Sequence, residues 1–325
     1  MTMATQKQEI LLESGTNEME IMEFYLGSQA FGINVHKLRE IIPYDGTNVT
    51  RLPGGGDSMI GTILVRGRSL TLIDLGKHLR RKAEPAAAEP QRRIVLICEF
   101  NRTVNGFLVD GVNQIHRVSW KDVNHISDFL GRQHPRFTGS ISIDGKEILI
   151  VDFEHIVAEI DPEMVKPYDV SEPAAGSPAN PVAELAERRR QVPLMLAEDS
   201  AIIREGIVRV LGAAGYTNLK TFVDGEECYR AIRGLQQRAQ QAGEDFSRSL
   251  KLVISDIEMP EMDGLTLCRK IKQDLGLEQV PVLMFSSLIT DQMIVRCEEV
   301  GADGYVSKPQ IPELVELLDR YCLQD

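Results

Sequence analysis

The chain has 325 residues, enough for two domains of ordinary size. Hydrophobic residues make up 43% and charged residues 26%, which excludes wholesale disorder. With 36 basic and 48 acidic side chains the net charge is −12, which argues against a nucleic-acid partner. The acidic excess is uneven: −4 over residues 1–165 and −8 over residues 193–325. Carboxylates concentrated in the last third serve either solubility or a divalent cation. The five cysteines are scattered without a C-x-x-C pair. The opening MTMATQKQEI lacks an apolar signal core, and no apolar run approaches the ~20 residues of a membrane span. A reduced, cytoplasmic protein without membrane insertion is expected.

After an N-terminal tail (1–18), residues 19–160 read as an all-β domain. Short alternating or β-branched runs recur at Met19–Leu26, Gly61–Val65, Ser69–Asp74, Arg93–Phe100 and Glu147–Asp152. A Pro/Ala break at Lys82–Gln91 is expected to be an internal loop. Gly61–Leu79 (GTILVRGRSLTLIDLGKHL) aligns without gaps on Gly139–Val157 (GSISIDGKEILIVDFEHIV) at a constant offset of 78. Each copy predicts strand, Gly-containing turn, strand and a short helix, and two such units suggest two small barrels. The copies differ at the turn, where Arg66 faces Asp144. Shared positions serve the fold, so Arg66 is the residue freer to meet a partner.

Residues 161–191 contain five prolines among Ala, Ser and Gly and predict an extended linker with few contacts across it. Its second half, Val182–Arg190, has the composition of a short polar helix. Residues 192–325 then alternate buried strands (Val192–Ala197, Leu219–Val223, Leu252–Ser255, Val280–Ser286, Gly304–Val306) with helical patterns. Ser200 is placed to cap the first helix and Gly215 to end it. Five β and five α predict a doubly wound (βα)5 parallel sheet, whose ligands sit at the carboxyl ends of the strands. The polar stretch Gly234–Leu250 is expected to be a helix extension or surface excursion.

That edge collects chemistry. Glu198 and Asp199 follow the first strand, Asp256 the third, Ser286 ends the fourth, and Lys308 follows the fifth. Three gathered carboxylates repel unless a hard cation such as Mg2+ accepts their oxygens. A cation beside a carboxylate nucleophile suits phosphoryl transfer. Asp256 is the expected nucleophile. Glu198, Asp199, Asp256 and the backbone carbonyl of Glu258 would hold the metal, Ser286 would hydrogen-bond the acyl phosphate, and Lys308 would pair with its charge.

With Met259–Pro260, Asp263–Gly264, Tyr305 and Lys308–Pro309 in order, this region resembles the receiver domain of two-component response regulators. The resemblance implies a flavodoxin-like fold and a phosphoacceptor Asp256 that forms an aspartyl phosphate and slowly loses it. It also implies switch roles for Ser286 and Tyr305. Residues 19–160 resemble the CheW-type coupling domain of bacterial chemotaxis. The matching segments are Phe31–Ile42, Ile60–Leu75, Asn105–Val118 and Phe137–Phe153, and Arg66 matches the family's arginine for receptor and kinase contact. The SH3/OB-like barrels, the histidine kinase CheA and chemoreceptor tips as partners, and recruitment to membrane-associated arrays are implied by that resemblance. The order of domains resembles the CheV family of coupling proteins. Two other readings stand beside this one. An aspartyl-nucleophile phosphatase would place its D-x-D after the first strand, where this chain has Glu198–Asp199. A phosphate sink without coupling activity would share every motif. Only 17 residues follow Lys308, so no DNA-binding output is expected.

Overall fold

The computed structural model describes residues 15–51, 56–79, 93–100, 103–124, 136–161 and 181–323. Most of the tail, the break at 82–91 and the linker at 162–180 lie outside the described residues.

The β-rich domain interleaves two sheets. Strands β1 (Glu18–Leu26) and β2 (Gln29–Asn34) begin the first. The chain then builds the second from β3 (Leu38–Pro43), β4 (Val49–Thr50), β5 (Met59–Val65), β6 (Arg68–Asp74), β7 (Ile94–Phe100) and β8 (Thr103–Val109). It returns to the first with β9 (Gly111–Ser119), β10 (Phe137–Ile143) and β11 (Lys146–Val151). The orders are β10-β11-β2-β1-β9 and β3-β7-β8-β6-β5-β4. An isolated bridge, in which Asn124 and Ser140 exchange backbone hydrogen bonds of 2.7 and 3.0 Å, links the segment that follows β9 at one edge of the first sheet to β10 at the other. In the second, an ion pair of 2.8 Å from Arg66 to Glu40 ties the β5–β6 turn to β3. Between the sheets lie Phe24, Phe31, Phe107 and Phe153, fully buried, with Phe107 and Phe153 edge-to-face at 4.5 Å. Each such ring contributes about 1.5–3 kcal/mol by leaving water.

The sequence repeat is a structural repeat. Both hairpins turn through two positive-φ residues, Arg66–Gly67 (48° and 79°) and Asp144–Gly145 (49° and 74°), the pattern that matches strand twist. Both first strands bulge at the equivalent glycines, Gly61 and Gly139. Both second strands end in an aspartate that caps a helix: Asp74 accepts from the Lys77 amide at α1 (Leu75–His78), and Asp152 from the His155 amide at α2 (Phe153–Ile160).

Helix α3 (Pro181–Arg190) is the expected polar helix, anchored by Arg189 on Asp319 and on the carbonyl of Ala214. The α/β domain follows as β12 (Leu194–Ala197), α4 (Ala201–Ala213), β13 (Leu219–Phe222), α5 (Gly225–Ala242), β14 (Leu252–Ser255), α6 (Gly264–Arg269), β15 (Val282–Ser286), α7 (Asp291–Glu299), β16 (Gly304–Ser307) and α8 (Ile311–Leu323). Ser200 caps α4 through the Ile203 amide. The stretch from Gly234 splits both ways: it extends α5 to Ala242, then leaves as a 3-10 turn at Phe246–Arg248. The sheet is wholly parallel in the order β13-β12-β14-β15-β16. Alternate residues of β12 feed opposite layers. Met195 and Ala197 pack with residues of α5, α6 and α7, whereas Leu194 and Leu196 pack with those of α4 and α8. A strand buried on both faces is why these segments read as unbroken apolar runs.

Candidate functional site

The chain crosses to β13 after β12 and to β15 after β14, so a crevice opens between the carboxyl ends of β12 and β14. Glu198, Asp199 and Asp256 stand there, each offering an oxygen within 4.8 Å of the others. Lys308, from the far side of β15, reaches in with Nζ 2.7 Å from Glu198 Oε2 and 2.8 Å from Asp256 Oδ2. The other Asp256 oxygen accepts from the Ile257 amide at 2.6 Å. Asp256 itself is 6% exposed. A Cβ on Gly264 would sit 2.0 Å from the Asp256 carbonyl oxygen, so the loop after β14 closes tightly only because that residue is glycine.

Burial and the neighbouring Asp256 charge push the Asp199 carboxyl up to about 7. Burial raises Glu198 well above the ordinary carboxylate range, with Lys308 opposing. One ammonium among three carboxylates leaves the cluster short of positive charge. The donors are hard oxygens, which fit Mg2+.

The remaining expected residues take these places. Ser286 ends β15, fully buried, its Oγ accepting from the Leu288 amide at 3.4 Å. Tyr305 lies on β16 opposite Met284, half-buried against the core. The Glu258 side chain turns away from the cluster toward the β-rich domain. Lys308, expected on the phosphoryl group, bonds the carboxylates here. Arg66 is in the other domain, at the β5–β6 turn, with 80% of its side chain exposed.

Residues 20–161 match the CheW-like domain, and residues 194–319 match the response regulator receiver domain. Over 317 residues the chain is 28% identical to the chemotaxis protein CheV3 of Helicobacter pylori, covering 94% of each. This chain belongs to the CheV family of chemotaxis proteins. Its CheW-like part is 33% identical to the probable chemotaxis protein CheW of Rhizobium etli, covering 92% of that protein and 45% of this chain. The receiver aligns with the crystal structure of the chemotaxis protein CheY4 of Vibrio cholerae at 27% identity, covering 98% of that chain and 40% of this one, with a TM-score of 0.33.

This CheV-type coupling protein holds a set of residues that the sequence reading missed. Asn17, at the end of the N-terminal tail, and Asn34, His36, Lys37 and Glu154 of the CheW-like part contact the receiver through side chains, contrary to the expectation of few contacts across the linker. A signal for Glu154 was available: the repeat breaks there too, with Gly76 as its counterpart. Lys37 carried none, since a lysine in a polar turn is ordinary. No helix among the described residues is long and apolar enough to cross a membrane.

Proposed function

We propose that Asp256 accepts a phosphoryl group from the histidine kinase CheA, and that its phosphorylation regulates how the CheW-like domain couples chemoreceptors to that kinase. The observation that supports this most is Asp256 Oδ2 bonded to Lys308 at 2.8 Å inside the Glu198–Asp199–Asp256 cluster at the sheet's carboxyl edge. In the transfer, the bond from phosphorus to the donor imidazole nitrogen breaks and its electron pair returns to the ring. A bond from phosphorus to an Asp256 oxygen forms. Lys308 stabilises the charge on the phosphoryl oxygens by moving its ammonium from Asp256 to them. Ser286, one residue from the loop after β15, donates its hydroxyl to the same group, and Tyr305 follows it as the second switch residue. Glu198, Asp199, Asp256 and the Glu258 carbonyl would hold Mg2+, which when bound supplies the positive charge that phosphoryl transfer to a carboxylate needs.

The working division is 19–160 for coupling, 161–191 as linker and 192–325 as receiver. Arg66 serves the partner surface, and the protein works in the cytoplasm at membrane-associated receptor arrays. Incubation with phosphorylated CheA and Mg2+ tests the reading. Label that is both acid-labile and base-labile is expected on Asp256 alone, none on Asp256→Asn, and none in EDTA. Wild-type uptake by Asp256→Asn would overturn it.

A further inference from the structure

Two receiver loops carry the phosphoryl chemistry proposed above, the one after β14 and the one after β15. Both are held by side chains of the CheW-like domain. Lys37, in the 3-10 turn after β2 and only 8% exposed, places its ammonium 2.8 Å from Glu154 Oε1 and 2.8 Å from Glu258 Oε2. Glu258 lies two residues past Asp256. Its other oxygen accepts from the Asn34 side-chain amide at 2.5 Å. Glu154, in the first turn of α2, also accepts from the Ser287 hydroxyl at 2.6 Å, next to Ser286. Asn17 clamps the end of the first loop, donating to the Glu261 carbonyl at 2.8 Å and accepting from the Asp263 amide at 3.0 Å. His36 accepts from Arg296 of α7 at 2.6 Å.

These contacts hold both loops that flank Asp256, at Glu258, Glu261 and Asp263 after β14 and at Ser287 after β15, and reach α7 at Arg296. We infer that the CheW-like domain is the receiver's own cap: while Lys37 and Glu154 are seated, a protein-borne phosphohistidine cannot reach Asp256, and phosphorylation of Asp256 unseats them. The inference rests on Asp256 being the phosphoacceptor. Its first half is steric. The donor imidazole must approach in line over the two loops that the cap already covers. Its second half is electrostatic. Six carboxylates lie near one another here: Glu198, Asp199, Asp256 and Glu258 of the receiver, and Glu154 and Asp152 of the cap, Asp152 close enough for its charge to act on both Lys37 and Asp199. Lys308 and Lys37 are the ammonium groups bonded among them. A phosphoryl group adds about −1.5 to −2 charges there, and Glu154 and Asp152 are the carboxylates able to leave. Movement of the β15 loop toward the phosphoryl group would also draw Ser287 away from Glu154. Docking and phosphorylation are then linked, each disfavouring the other.

The test compares full-length wild type, Lys37→Met and Glu154→Gln with two donors, the phosphorylated kinase and acetyl phosphate, each with Mg2+. A protein donor sees only the uncapped fraction, so if that fraction is near one in ten, unseating the cap speeds its transfer about tenfold. Acetyl phosphate is small and should gain less, so the ratio of the two rates is expected to rise in both variants. Small-angle scattering is expected to show wild type expanding when acetyl phosphate labels it, and both variants already expanded without label. Label on Asp256 with an unchanged rate ratio in both variants, or wild-type scattering unmoved by phosphorylation, overturns the cap. The scattering arm needs no substitution, so a variant that fails to fold does not shield the inference. If no donor labels any form, Asp256 is not the acceptor and the inference falls with that reading.

Discussion

Acidification should load His36 against the docking of the two domains, and the His36 contribution can be isolated by substitution. The His36 ring sits between Asn34 Oδ1, 3.1 Å from Nδ1, and the Arg296 guanidinium, 2.6 Å from Nε2. Asn34 Oδ1 can only accept, so Nδ1 carries the proton and Nε2 presents its lone pair to Arg296. Protonating Nε2 would face a cation with a cation. Burial, reinforced by the Arg296 charge, lowers the His36 pKa from 6.5 to about 4. A base with a depressed pKa contributes no penalty well above 6.5. It opposes docking increasingly as pH falls from 6.5 toward 4, because the undocked ring binds the proton and the docked ring does not. Taking 6.5 for the undocked ring, the penalty at pH 5 is about 2 kcal/mol, a roughly thirtyfold shift toward the open form. Asp263, near Arg296 and pushed up to about 6 by burial, acts with the opposite sign, as do Glu258 and Asp152, which burial also raises. The measurement is therefore a difference: scattering of wild type and His36→Gln from pH 7.5 to 4.5, the glutamine keeping an acceptor for Arg296 without a titration. Wild type should open at higher pH than the variant. Coincident curves would refute the assignment of Nε2 as an obligate acceptor.

Two further outcomes are expected. Arg66→Ala should cost ~2 kcal/mol or more in recruitment to receptor–kinase arrays, measured by co-sedimentation. Its melting should stay within about 0.5 kcal/mol of wild type, because the Glu40 pair is exposed and replacement leaves a non-glycine at the same positive φ. Arg66→Asn, which suits that turn, should fold as well and bind as poorly, whereas Asp144→Ala should bind normally; binding by either Arg66 variant at wild-type strength would remove it from the partner surface. Gly264→Ala should destabilise the receiver by about 1–3 kcal/mol in denaturant melts, since its Cβ must push the Asp256 carbonyl from 2.0 Å to ordinary contact. It should slow labelling of Asp256 by acetyl phosphate, and an unaltered rate would mean the loop absorbs the methyl without moving the acceptor.

The receiver was legible because its strands are buried on both faces and its helices are amphipathic, so period and punctuation agree. Strand-end residues then fall together by topology alone, as Glu198, Asp199, Asp256 and Lys308 do. The repeat in the first domain was legible as strand, turn, strand and helix, and the structure adds why its shared residues recur: Gly61, Gly67 and Asp74 each answer a backbone requirement, a bulge, a turn and a cap, met again at Gly139, Gly145 and Asp152. Which strands share a sheet was not legible. β2 runs parallel to β11, and β6 parallel to β8, pairings between segments far apart in the chain that no local pattern encodes. The set of interdomain contacts was hidden for a related reason. A proline-rich linker says that the domains can separate, and says nothing of whether they do.

The chemistry of those contacts argues that separation is their purpose. At the two loops and α7 they are ion pairs and hydrogen bonds: Lys37 with Glu154 and Glu258, Ser287 with Glu154, Asn34 with Glu258, Arg296 with His36. Apolar burial of the same extent would hold at every charge state of Asp256, since the hydrophobic effect is indifferent to one added anion. A buried ion pair behaves differently. Its Coulomb gain nearly cancels its desolvation cost while both partners are in place, but removing one partner costs roughly 3–5 kcal/mol. Its net stability is therefore small and its sensitivity to local charge is large, which is the combination a two-position element requires. Exchanging Lys37, Glu154 and Glu258 together for well-packed apolar side chains should, on this argument, lock the cap shut rather than loosen it. The locked protein would retain Asp256, Lys308 and the whole carboxylate cluster, yet it would take phosphoryl slowly from any protein donor.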